Sequence, residues 1–110
     1  MGKFFNSKMV RQDMDDIHNI QKSLWKDIPT LFSMTREEKE KHIEKLETLL
    51  EKQKIMYTRL MLEKGDPDAD EMLNKIKESA MMMGFPNGDM NTLFNSMAKS
   101  IENLKRGLDN

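Results

Sequence analysis

The chain has 110 residues, 37% of them hydrophobic and 34% charged, enough for one domain with a modest core and too few for two. Lys and Arg number 18 against 19 Asp and Glu, a formal net charge of −1, so the basic excess that usually drives phosphate binding is missing. With 0 Cys, disulfides, thiolate metal sites and cysteine catalysis are excluded together, and no apolar run nears the ~18 residues that span a bilayer.

The apolar spacing is helical almost throughout, with no period-2 strand. Ser7 is placed to cap a first helix over about 8–28, with the stripe Val10, Met14, Ile17, Gln21, Leu24, Ile28 on one face. Trp25 is expected to cover the stripe's edge, and Pro29 to stop the helix. The short apolar connection Thr30–Met34, with Leu31 and Phe32, is expected to fold back onto the core.

Thr35-Arg36-Glu37-Glu38 is a capping-box pattern that opens a long second helix over about 36–64. Its stripe is Ile43, Leu46, Leu50, Gln53, Tyr57, Leu60, flanked by Leu49 and Met56, and Gly65 supplies the stop. Asp66 or Asp68 caps a third helix over about 68–83, with the face Ala69, Met72, Leu73, Ile76, Ala80, Met83. Phe85-Pro86-Asn87-Gly88 makes a turn, and Asp89 caps a fourth helix over about 90–106 that Gly107 ends. Its stripe is Met90, Leu93, Phe94, Met97, Ile101, Leu104. The predicted fold is one all-α domain over 1–110: a long antiparallel helical hairpin with two shorter C-terminal helices, bundle-like. A second helix of about 42 Å exceeds the diameter expected of so small a domain. It therefore points either to a homodimer or to full cover by the first helix.

Candidate chemistry is sparse. Asp66-x-Asp68-x-Asp70 resembles the opening of a calcium loop, but Glu71 and Lys77 stand where that loop needs Gly and a bidentate Glu. His18 and His42 are the two histidines, and a metal would need them to meet in space or to recruit distant carboxylates. No nucleophile elbow or phosphate loop is present. The carboxylates alternate with Lys along solvated faces. Catalytic, metal and cofactor-binding residues are therefore none, and the chain reads as not an enzyme. The third and fourth helices could pass for a helix-turn-helix, with Asn91, Asn95, Lys99 and Asn103 on the outer face, but few cations accompany them. Nucleic acid is disfavoured as a partner.

The chain contains 12 Met, a residue that fills core gaps and also lines adaptable binding surfaces. In Met81-Met82-Met83-Gly84-Phe85, three consecutive residues cannot share one helix face. The run either packs against the loop at Phe32 or forms an exposed contact surface, which marks Met81, Met82 and Phe85 as candidate partner-binding residues.

Three stretches carry a resemblance across nearly the whole chain. They are Phe4-Phe5-Asn6-Ser7, the long helix after Thr35-Arg36-Glu37, and the ending Met90…Met97…Glu102-Asn103-Leu104-Lys105. The chain resembles a family of small helical proteins of cyanobacteria and their phages that has no assigned function. The acidic turn Asp66–Asp70 and the triple Met depart from its pattern. The resemblance implies a cytoplasmic protein and, for a phage member, engagement of a host complex; it defines no site residues. The expected role is protein–protein interaction through amphipathic helix faces, with an unidentified protein partner, a possible homodimer and no membrane. A nucleic-acid-associated regulator is the alternative.

Overall fold

The structure is a computed structural model that describes residues 6–82, 84 and 89–108. It contains four α-helices: α1 Lys8–Asp27, α2 Arg36–Leu62, α3 Pro67–Met82 and α4 Met90–Leu108, with a 3-10 segment Ile28–Ser33 between α1 and α2. The fold is all-α.

Each helix start is set by a short polar side chain that accepts from an orphan backbone N–H. Ser7 accepts from Val10 N–H (3.4 Å) and Thr35 from Glu38 N–H (3.2 Å). The capping box is one-sided: the Glu38 carboxylate takes the Thr35 hydroxyl (3.1 Å) instead of the Thr35 N–H. Asp66, not Asp68, opens α3, accepting from Asp68 N–H (3.0 Å) and Ala69 N–H (3.3 Å). Asp89 accepts from Thr92 N–H (3.2 Å) at the start of α4. Gly65 ends the α2 turn at φ +106°, which only glycine adopts without strain.

α1 and α2 form an antiparallel hairpin whose register is written in its ion pairs. Asp13 binds Arg59, Asp16 binds Lys52 (3.2 Å), and Asp27 binds Lys45 (3.0 Å) with His42 Nδ1 at 2.8 Å. Residue numbers rise on one helix as they fall on the other. α4 lies antiparallel along the other side of α2: Glu47 pairs with Lys105 (2.9 Å), and Tyr57 meets Phe94 edge-on, centroids 5.8 Å apart. α2 is thus the central helix. Its 27 residues extend about 40 Å within a molecule measuring 49 × 31 × 20 Å.

The core has two parts. One joins Ile43 and Leu50 of α2 to Met90, Leu93, Phe94 and Ile101 of α4. The other joins Val10 of α1, Met56 and Leu60 of α2, and Ala69 and Leu73 of α3. Tyr57 and Ile76 pack against both. α3 therefore passes from the α1 side toward the α4 side, closing one end of the three-helix layer.

Several expectations are corrected. Proline's fixed φ and missing N–H end α1 at Asp27, and Ile28 and Pro29 open the 3-10 segment instead. Within that segment Phe32 does not fold onto the core and is fully exposed, whereas Leu31 and Met34 are half-buried. The segment's turn is closed locally, by the Thr30 hydroxyl on the Asp27 carbonyl and the Ser33 hydroxyl on the Thr30 carbonyl. Trp25 covers no edge and is 72% exposed. α2 ends at Leu62, within two residues of the expected end, and α4 continues through Gly107 to Leu108. The length of α2 by itself calls for no second copy, because α1 and α4 cover its two sides. Met83, Phe85 and the turn at 85–88 lie outside the described residues.

Candidate functional site

α1 and α4 lie on opposite sides of α2, and the space between them is a cleft of about 590 Å³. α1 contributes Met14, Ile17, His18 and Gln21. The floor is Gln53, Met56 and Tyr57 of α2. α3 closes one end with Met72, Lys75 and Ile76, and α4 supplies the opposite wall with Met90, Leu93, Phe94 and Met97. This volume and this mainly apolar lining, interrupted by a few polar groups, are the usual makings of a binding site. Five of the lining side chains are methionine, whose unbranched, polarisable chain adapts to irregular partners.

Gln21 and Gln53 explain their own position. Each stands in the apolar stripe of its helix where spacing alone asks for a hydrophobe, and the hairpin brings both to the cleft. His18 is exposed on α1 and belongs to the same lining. His42 is tied to Asp27 at the far end of the hairpin. His18 lies at the level of Lys52–Gln53, so the histidines stand about 14 Å apart along the helices and do not meet. Among the described residues, no three His, Asp or Glu gather around one point where a metal could sit.

The acidic turn has a local use. Asp66 caps α3, and Asp70 accepts from Gly65 N–H (3.1 Å). Fields at the hairpin are equally local: hydrogen bonds from His42 and then Lys45 hold the Asp27 carboxyl below its usual range. Gln12 and then Lys52 do the same for Asp16.

Met81 and Met82 end α3 and are 56% and 89% exposed. Met82 falls seven residues after Lys75, on the strip of α3 that faces the cleft. Of the supposed reading face on α4, Asn91 and Asn95 line a shallow hollow against Lys54, Tyr57, Thr58 and Met61 of α2. Sequence reasoning missed the cleft. Its one local signal was the pair of glutamines in stripe register.

Fold and site define a small all-α protein: a helical hairpin flanked by a third long helix, with a methionine-rich cleft between the flanking pair. The chain belongs to the family described as a domain of unknown function (DUF1825), whose model matches residues 2–108. No curated protein and no solved structure matches the chain. Among the described residues, no helix is long and apolar enough to cross a membrane.

Proposed function

We propose that this protein is a non-catalytic interaction protein that takes an amphipathic helix of a partner protein into the cleft. The observation that carries the reading is the cleft itself: two flanking helices stand apart over the floor of α2, with apolar side chains turned into the space between. Helix-in-groove binding uses such a surface, anchored at i, i+3/i+4 and i+7 on the guest helix. Met81 and Met82 at the end of α3 extend the contact. The setting is cytoplasmic. The resemblance to proteins of cyanobacteria and their phages makes a host complex the target.

The reading is tested by capture with tagged protein from nuclease-treated cyanobacterial lysate, comparing Met97→Asp in the cleft wall with Met9→Asp, a 65% exposed site outside the lining. The same partner should bind the wild type and Met9→Asp, and be lost from Met97→Asp at unchanged helical content. Retention should persist in high salt, where phosphate-driven nucleic-acid binding collapses. Identical capture by both variants overturns the reading.

A further inference from the structure

We infer that the helix received by the cleft is acidic on one flank, setting its apolar face against α4 and its carboxylates against α1 and α3. This rests on the helix-in-groove reading above and adds the chemistry of the guest.

The two walls of the cleft differ in kind. α4 presents only apolar side chains, Met90, Leu93, Phe94 and Met97. The polar lining, His18, Gln21, Gln53 and Lys75, comes from the other three helices. The chain carries 19 Asp and Glu, yet none is among the described residues that line the cleft. A guest with a uniform apolar surface would leave those four polar groups short of partners. A guest with carboxylates on that flank would satisfy them.

The hairpin makes the asymmetry stronger. Three of the four acids of α1, Asp13, Asp16 and Asp27, are drawn into ion pairs with α2. The flank of α1 beside the cleft then carries Arg11, His18 and Lys22, spaced by seven and four and so on one face, with Asp15 next to them. Lys75 lines the cleft from α3 and is held by an exposed i,i+4 pair with Glu71 at 3.4 Å. Charge complementarity therefore selects an acidic guest, and acts mainly on encounter and orientation.

Two exposed apolar side chains prolong the line of the walls beyond the residues that line the cleft. Trp25 lies four residues after Gln21 and Leu104 seven after Met97, each on the cleft-facing strip of its helix, 72% and 49% exposed. From Met14 to Trp25 the wall runs about 16 Å, three helical turns. A guest of about 11–14 residues covers it.

The test uses two synthetic helical peptides of about 14 residues, with one shared Leu/Ala stripe and either Glu or Lys along one flank. Both are titrated by fluorescence anisotropy against the full chain, its Lys75→Glu and Gln53→Glu variants, each checked by circular dichroism. The Glu peptide should bind the wild type about tenfold more tightly than the Lys peptide at low salt, and both variants should shrink or invert that ratio. Equal affinities overturn the acidic guest while leaving the helix-in-groove reading standing. Binding of neither peptide overturns both. A preference untouched by both variants overturns the placement in this cleft. A dimer that neither peptide displaces, seen by sedimentation, overturns the inference in favour of a second copy.

Discussion

Asp27 shows how one side chain can be committed by its surroundings. It sits at the last turn of α1, where a helix C-terminus disfavours an anion, yet Lys45 and His42 of α2 converge on it. Those contacts hold its carboxyl below the ordinary value of 3.8. A depressed acid contributes stability above its unfolded value and loses it as the pH falls through the folded one. Asp27→Asn should therefore lower the urea midpoint at neutral pH, and the gap from wild type should close as the pH drops below 3.8. A gap that stays constant with pH would mean that the carboxylate charge is not what the pair contributes. No motif marks Asp27 in the sequence, because its partners lie 15 and 18 positions away. Nothing in the spacing around His42 shows the contact with Asp27 that fixes it.

At the scale of elements, local chemistry decided where helices begin better than where they end. Ser7, Thr35, Asp66 and Asp89 each satisfy an N–H within three residues, and such interactions are readable from spacing. Helix ends answer to packing as well. α4 runs through Gly107 because Leu108 packs against the α2–α4 core, a gain the propensity of Gly does not outweigh. The same logic corrects the 3-10 segment, whose backbone is closed by its own Thr and Ser hydroxyls and so requires no cover from Phe32. Asp66→Ala should cost about 0.5–2 kcal/mol of stability, read as a lower thermal midpoint, since the first N–H groups of α3 lose their acceptor. Hydrogen exchange should show that loss concentrated at the amides of residues 68–70. Uniform loss over all helices would argue against a local cap.

The whole molecule is organised around α2, which is buried on two sides by different helices. That arrangement explains why its apolar residues exceed a single stripe: Met56 and Leu60 pack with α1 and α3, Ile43 and Leu50 with α4. Leu60 is wholly buried where α1, α2 and α3 meet, while Phe32 at the opposite end of α2 is fully solvated. Leu60→Ala should cost about 2–5 kcal/mol, and Phe32→Ser should stay within about 0.5 kcal/mol of wild type, both from chemical denaturation. A large loss from Phe32→Ser would place the α1–α2 connection in the core after all.

By itself the sequence determined the fold class, the number of helices, their caps and most of the side chains in the core. Those follow from a 3.6-residue period and from hydrogen bonds that reach no further than one turn. Tertiary structure decided what the stripes face. Whether Gln21 and Gln53 interrupt a core or line a cleft depends on how far apart α1 and α4 stand across α2, a distance set by contacts between residues far apart in the chain, such as Arg59 with Asp13 and Lys105 with Glu47. Periodicity measures direction around one helix and carries no record of that separation.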